Sequence, residues 1–555
     1  MSLTALFDIG KTGVLTYQKA LEVVSHNISN AATEGYTRQD VIFQNMSSGI
    51  LSLSGVTGRG VKLEDIRRMY DSFIDLQLKT ESSNLAYWDV VYNGMLRLEN
   101  IFNDASETAF SNSINDFFNA WQELSQNPSG TAERTLLLDK ASYLTKRLNL
   151  SYKSLIDERQ EIYKDTQNLV NQVNNYLDQI NELNEKIAAS PGSLDAKDQR
   201  DNLVKQLNDI VHITYFEDNS GRYSILLGGM PMVDGGKVYH LNVGLDSNQN
   251  MQFSLETVSG SIDVTRLIQG GKLKAEIDLR DETIPEYMEK LNMLVFDLTE
   301  AINAQHRQGY GLDGTTGNNF FSQLYDLTVL SPSAPTSPYS DIFFKINNVN
   351  TNTYDEYQIE FDGSAVPPVW TVTDNTTSSS VTPTVTSWTE GTDTYYKLSF
   401  NNIEVTIKNP DNTLDFTFQI KQHAGLLFNV AITDTQKIAA ATADPTGTTS
   451  GEMDNENARA IYSLLDSKII GSSTPIDFYR AIVSEVGVYS SSAQTQKSFQ
   501  QSLVEEIEKR RQDVSGVSLD EEAVNLIKYQ KMYEASARVI KVADEILATL
   551  FDMVS

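Results

Sequence analysis

Residues 3–36 read LTALFDIGKTGVLTYQKALEVVSHNISNAATEGY, and apolar side chains recur in this stretch with alternating spacings of four and three residues. The recurring positions are Leu3, Phe7, Gly10, Val14, Tyr17, Leu21, Val24, Ile28 and Ala31. Such a repeat, about 3.5 residues long, keeps one seam of a helix facing a partner helix. Gly35 can take the left-handed conformation that ends a helix. The stretch therefore predicts an N-terminal coiled-coil helix.

The other end of the chain has the same character. Ser518-Leu519-Asp520-Glu521 forms a capping box, with acidic residues where a helix dipole favours them. A seam with spacings of three and four follows, and a second apolar stripe runs beside it through Met532, Ala535, Val539, Val542, Ile546 and Met553. A helix that is apolar over so wide an arc must pack against several neighbours.

Two interpretations of these ends remain open. The two helices can form an ordinary pair within one chain, or a coiled coil that also packs against copies of itself. Chain termini are usually frayed and polar, so apolar repeats at both ends favour self-assembly. The predicted self-assembly residues are Leu3, Phe7, Val14, Tyr17, Leu21, Val24, Ile28, Leu526, Tyr529, Tyr533, Ile540, Leu547 and Leu550.

The intervening sequence predicts an α+β multidomain fold, with a terminal α-helical coiled coil and a long helical stalk that carries inserted β domains. Helical periodicity gives way to short strand-like runs and turn signals after His212, and again after Gln308. The predicted segments are an N-terminal coiled-coil helix at 1–36, helical stalk at 37–212, a small β domain at 213–270, a helical return at 271–308, an outer β domain at 309–450, helical stalk at 451–514 and a C-terminal coiled-coil helix at 515–555.

Composition excludes several classes of function. The chain has 555 residues, with 74 acidic and 44 basic side chains, a net charge of −30 and no cysteine. The acidity argues against nucleic acid as a partner, because phosphate binding needs clustered Lys and Arg. Thiolate catalysis, disulfides and cysteine-held metals are impossible. No run of apolar residues is long enough to insert into a membrane.

The sequence shows no constellation for catalysis. The five histidines have no metal-ligand spacing. The GxGxxG at 309–314 follows a predicted helix rather than a strand, so it is interpreted as a turn and not as a dinucleotide site. We therefore expect no enzyme activity, no cofactor and no metal.

Two motifs resemble a known family. SHNISNAATEGYTR at 25–38 is similar to the N-terminal signature of bacterial flagellar rod, hook and hook-associated proteins, and SGVSLDEEA at 515–523 resembles the C-terminal one, in the form found in proteins of the hook–filament junction. The matching motif residues are Asn27, Asn30, Gly35, Tyr36, Ser515, Gly516, Leu519, Asp520 and Glu521.

The resemblance implies a structural subunit that assembles at the hook tip and joins hook to filament, with terminal helices that become ordered on assembly. It further implies a ring-shaped homo-oligomer, contacts to hook protein and to the second junction protein, hook-associated protein 3, and a flagellar export chaperone that binds the C-terminal helix. The expected location is the extracellular flagellum, reached without a cleaved signal peptide.

Two alternatives remain at this stage. The chain could be another axial protein of the flagellum, such as a hook or distal rod protein. It could also be a surface adhesin acting through its outer β domain, where ten of the thirty residues from 371 to 400 are Thr.

Overall fold

A computed structural model describes residues 3–46, 59–102, 110–257, 260–330, 341–349, 352–446 and 451–554. The predicted α+β multidomain class is confirmed. The helices are α1 (Leu3–Ser29), α2 (Ser72–Ile101), α3 (Phe110–Gln126), α4 (Thr131–Ala189), α5 (Leu194–Ile210), α6 (Gly271–Ile277), α7 (Ile284–Gln308), α8 (Ala424–Leu427), α9 (Glu456–Ser463), α10 (Pro475–Ser515) and α11 (Leu519–Val554).

The strands form small antiparallel sheets. They are β1 (Gln39–Asn45), β2 (Val61–Arg68), β3 (Thr214–Glu217), β4 (Tyr223–Leu227), β5 (Met230–Asp234), β6 (Lys237–Val238), β7 (Leu241–Leu245), β8 (Met251–Thr257), β9 (Gly260–Asp263), β10 (Tyr325–Val329), β11 (Ile342–Ile346), β12 (Glu356–Asp362), β13 (Val369–Asp374), β14 (Ser379–Val381), β15 (Thr384–Glu390), β16 (Asp393–Phe400), β17 (Ile403–Lys408) and β18 (Asp415–Ile420).

The chain divides into two compact units. The first unit contains residues 1–91, 164–277 and 494–555, and the second contains residues 92–163 and 278–493. Both ends of the chain therefore belong to the first unit. The finer division into seven segments stays a prediction.

In the first unit, α1 and α11 run antiparallel, because Gly10 lies beside Ile540 whereas Asn27 lies beside Glu522. The hairpin of β1 and β2 packs against both helices, in a register that pairs Val41 with Ile66. The small core that results consists of Ala20, Val23, Val24, Val41 and Tyr529. Two further sheets, with strand orders β3-β4-β5-β6 and β7-β8-β9, and the helices α5 and α6 also belong to this unit.

In the second unit, two sheets pack face to face, with strand orders β10-β18-β12-β13-β14 and β11-β17-β16-β15. Aromatic side chains join them, with ring centroids 4.7 Å apart for Phe344 and Phe418 and 5.2 Å apart for Tyr357 and Phe400. Strand alternation places these rings on the inner faces. The helix α7 packs beside β11, where the buried Asp297 carboxylate accepts a hydrogen bond of 2.9 Å from the Ile346 N–H.

Candidate assembly site

The two terminal helices meet through small residues. A Cβ built on Gly10 would lie 2.6 Å from Ile540 Cγ1, and one built on Gly13 would lie 2.9 Å from the Cβ of Ser536. Both distances are shorter than ordinary van der Waals contact. The buried positions of α1 are Gly10, Gly13, Thr16, Ala20, Val23, Val24 and Asn27. The face that α1 turns toward its own chain is therefore built mainly from small side chains, and it shares only Gly10 and Val24 with the predicted seam.

The predicted seam residues are distributed over three environments. Val24 and Tyr529 are buried in the core. Leu3, Val14, Tyr17, Leu21, Leu526 and Ile540 are half-buried. Phe7, Ile28, Tyr533, Leu547 and Leu550 are exposed. One chain thus covers only part of the seam, and the role of these residues in self-assembly stays a prediction.

Exposed apolar side chains accumulate toward the end of α11. Phe551 is 68% exposed and Met553 is 78% exposed, and every residue from 544 to 553 is classed as exposed. Val542 and Ile546, which belong to the second stripe, are exposed as well. Soluble monomers rarely leave a long apolar strip uncovered, so this surface is a candidate for contact with another chain.

A buried carboxylate links the two sequence motifs. Glu522, in the first turn of α11, is only 1% exposed. Its Oε1 accepts a hydrogen bond of 2.8 Å from Arg38 Nε, and its Oε2 accepts one of 3.2 Å from Asn27 Nδ2. A second nitrogen of the Arg38 guanidinium donates to Glu521 at 2.8 Å. The charge of Glu522 is therefore paired and hydrogen-bonded, as a buried charge must be.

Asn27 is the centre of the N-terminal motif. Its Oδ1 accepts hydrogen bonds from the Gln39 N–H at 3.0 Å and from the Tyr36 hydroxyl at 2.7 Å, while its Nδ2 donates to the Gln39 carbonyl at 2.9 Å. Burial, together with the nearby Asp195 carboxylate, raises the pKa of Tyr36 above its ordinary value. The phenol therefore stays protonated and able to donate.

The other motif residues shape the chain ends around this centre. Asn30 donates from its side chain to the His26 carbonyl at the end of α1, and Gly35 has a positive φ of 79°. Ser515 is buried, and the Gly516 N–H donates to the Gln512 carbonyl. Leu519, Asp520 and Glu521 are exposed. Asn30 and Gly35 therefore shape the turn after α1, and Ser515 and Gly516 shape the end of α10.

The site residues predicted from the sequence did not include four polar residues of this region, Arg38, Arg68, Asp198 and Glu522. Arg68 donates to Asp198 at 2.8 Å and to Asp201 at 2.7 Å, and Asp198 also accepts from the Thr37 N–H. The signal for Glu522 was a charged residue inside an apolar repeat. The partners themselves are far apart in sequence, so spacing could not reveal them.

A polar cleft of about 620 Å³ lies next to Arg38. It is bounded by the turn after α1, at 31–36, and by residues of 511–518, which comprise the end of α10 and the residues that lead into α11. Both sequence motifs thus contribute to one surface feature of the first unit.

The GxGxxG at 309–314 is a turn in the second unit, as the sequence predicted. It follows α7, and the Tyr310 N–H donates to the Ala441 carbonyl at 2.8 Å. The nearby His306 is fully buried, accepts from the Ala439 N–H at Nε2 and donates from Nδ1 to the Asn318 carbonyl. Burial lowers the pKa of His306 to about 4, so this side chain is a neutral structural group.

Within the described parts of the chain, no cluster of three or more His, Asp or Glu side chains is arranged to hold a metal ion. The helices in those parts also include none with the length and apolar character needed to cross a membrane.

Comparison with known proteins gives consistent matches. Residues 95–321 match the family described as flagellar hook-associated protein FlgK helical domain, and residues 512–553 match the flagellar basal body rod FlgEFG protein C-terminal family. Flagellar hook-associated protein 1 of Salmonella typhimurium is 30% identical over 99% of this chain and 100% of its own length. The protein of the same name from Bacillus subtilis is 23% identical over 97% of this chain and 96% of its own length.

The fold also has a solved counterpart. The flagellar hook junction protein FlgK from Burkholderia pseudomallei is similar with a TM-score of 0.58 and 19% sequence identity, over 79% of this chain and 100% of that structure. This likeness concerns the fold, whereas the full-length identity to the Salmonella protein establishes the relationship. The chain belongs to the flagellar hook-associated protein 1 family.

Proposed function

We propose that this chain is a structural subunit that joins the flagellar hook to the filament, and that α1 and α11 form its assembly surface. The observation that carries the proposal is the uncovered apolar strip on α11, from Val542 to Met553, beside the exposed Phe7 of α1. The names of the relatives, hook-associated protein and hook junction protein, support the placement at the junction. They do not favour a hook or rod protein, or an adhesin.

The proposed assembly covers what a single chain leaves exposed. Complete burial of one Leu or Phe side chain stabilises an assembly by about 1.5–3 kcal/mol. Several such residues in every subunit therefore supply a substantial driving force for association. A closed ring of identical subunits needs two different surfaces on each chain. The two apolar stripes of α11 fit that requirement, and the product is a homo-oligomeric ring.

The ends gain order during this assembly. Residues 544–553 are all exposed in the single chain, whereas Tyr529 and Ala543 are buried. We therefore assign the ordering on assembly chiefly to the distal part of α11.

The partners follow from the position at the junction. Hook protein is the proposed neighbour on one side of the ring, and hook-associated protein 3 on the other. Before export, an export chaperone covers the apolar arc of α11, which would otherwise promote aggregation. The subunit leaves the cell without a cleaved signal peptide and acts in the extracellular flagellum, with neither nucleic acid nor membrane insertion as part of its role.

The proposed role is mechanical and not catalytic. The family is a structural component of the flagellum. The buried polar groups of the first unit, above all Glu522 and Asn27, are used to join elements of the chain to each other.

The experiment separates export from assembly. Ile546→Asn and Leu550→Asn place amides on the exposed strip, and Val488→Asn is the matched control because Val488 is an exposed apolar residue of α10. All three proteins should be exported, whereas filaments should fail to stay attached to hooks only in the α11 variants. Normal filaments on hooks built with Ile546→Asn and Leu550→Asn together would refute the proposal.

A further inference from the structure

The connection between α10 and α11 is only three residues long, Gly516, Val517 and Ser518. A short connector of this kind allows a range of angles between two helices unless other contacts restrict it. The helix α11 carries the proposed assembly surface, so the angle at this connector determines where that surface is presented.

Arg38 contacts both sides of the connector. Its backbone N–H donates a hydrogen bond of 2.9 Å to the carbonyl of Ser515, the last residue of α10. Its guanidinium donates to Glu522 and Glu521, in the first turn of α11. A planar guanidinium binding two neighbouring carboxylates fixes direction as well as distance.

The contact is anchored in the rest of the first unit. Glu522 also accepts from Asn27 of α1, and Asn27 is bound to the backbone of Gln39 at the start of β1. The hairpin that follows Arg38 packs against Tyr529 of α11, with the rings of Phe43 and Tyr529 centred 5.7 Å apart. Arg38 thus lies where α1, the hairpin, α10 and α11 meet.

We propose that Arg38 is a positioning residue that, with Glu522 and Asn27, fixes the angle between α10 and α11. The importance of this angle for assembly rests on the proposed function, whereas the angle itself is a property of the isolated chain. The ion pair between Arg38 and the buried Glu522 has a directional role here, because apolar residues of similar size could fill the same space without specifying one orientation.

The absence of cysteine in the sequence makes the test direct. Lys509→Cys on α10 and Gln530→Cys on α11 replace exposed residues and accept nitroxide labels, and pulsed EPR then gives the distance distribution across the connector in the full-length chain. The parent should show one narrow distance. Arg38→Met should lose it and give a broad distribution.

Two further variants keep the result interpretable. Arg67→Met is the matched control, because Arg67 lies on β2 of the adjoining hairpin, with an exposed side chain and only a 3.6 Å ion pair with Asp40. It should keep the narrow distance. Arg38→Met with Glu522→Leu removes the half-buried guanidinium together with the buried carboxylate, so that carboxylate is not left without its cation. This double variant should fold even if the single variant does not, and it should still give a broad distribution.

A broad distribution in the parent, or a narrow one in both Arg38 variants, would overturn the proposal whether or not the chain assembles at the junction. Normal filament attachment by a variant with a broadened distance would overturn the link between this angle and assembly. Neither result would contradict the role of the apolar strip, which the Ile546 and Leu550 variants test separately.

Discussion

Gly13→Ala tests the close approach of α1 and α11. The new Cβ would lie 2.9 Å from Ser536 Cβ and would also overlap Ser536 Oγ. Carbon atoms in contact are normally about 3.5–4.0 Å apart, so the two helices must separate locally. Such overpacking costs about 1–3 kcal/mol. The higher helix propensity of Ala offsets about 1 kcal/mol of this cost.

The control for helix propensity is Gly487→Ala. Gly487 lies inside α10, and no atom lies within 4 Å of a Cβ built there. This variant should therefore be stabilised locally by about 1 kcal/mol. Compared with Gly487→Ala, Gly13→Ala should change local stability less favourably by about 1–3 kcal/mol, because only the α1 site is overpacked.

Hydrogen exchange is the appropriate assay, followed at residues 526–543 for the contact between α1 and α11 and at the amides around residue 487 for the control. Exchange reports local opening of α11. A melting temperature would not report on this interface alone, because the chain has two compact units. Gly13→Ala should exchange faster than the parent. Ser536→Gly removes both overlapping atoms, so the double variant should regain protection from exchange. The substitution itself costs about 0.5 kcal/mol, because Gly has a lower helix propensity than Ser.

Greater protection in Gly13→Ala than in the parent, which helix propensity alone would produce, would show that the helices are not in close contact there. Faster exchange without rescue by Ser536→Gly would show that the added methyl group acts through some other neighbour. Either outcome would refute the packing described for α1 and α11.

Other predictions concern both units. In the isolated chain, amides of residues 544–554 should exchange much faster than those of 526–543, and equal protection along α11 would contradict the proposed ordering on assembly. The pKa of His306 is lowered from 6.5 to about 4 by burial, so its contribution to stability is complete above pH 6.5 and is lost as the pH falls toward 4. His306→Gln should flatten the acid dependence of unfolding of the second unit, relative to the parent, in that range. Asn303→Ala should destabilise the same unit by about 2–4 kcal/mol in denaturant unfolding, because the buried Asn303 Oδ1 accepts from the N–H groups of both Phe320 and Phe321.

Much of the fold was accessible from the sequence because its signals are local. Caps, glycines and hydrophobic periodicity marked the terminal helices, and the capping box at 518–521 lies where α11 begins. The arrangement of the two packed sheets was not accessible. The strand β11 pairs with β17 and not with its neighbours in sequence, and such long-range register leaves no signature in a single chain.

The contact face of α1 was predicted less well for a physical reason. A hydrophobic repeat identifies the side chains whose exposure to water is least favourable, and these include Phe7 and Ile28. Helices that approach each other closely instead need small residues at the contact, such as Gly13 and Ala20. The large residues then lie beside the contact, where the chain itself covers them only in part.

Both ends of the chain contribute to one surface, so neither end alone can form it. Leu3 and Phe7 of α1 line an apolar pocket of about 200 Å³ together with Ala543 and Leu547 of α11. This pocket exists only when the first and last segments of the sequence have paired. Loss of either segment would expose the partner's contact face without creating the pocket. We therefore expect assembly to depend on both helices together, because the surface that an adjoining subunit would recognise is completed only by a chain with both ends intact.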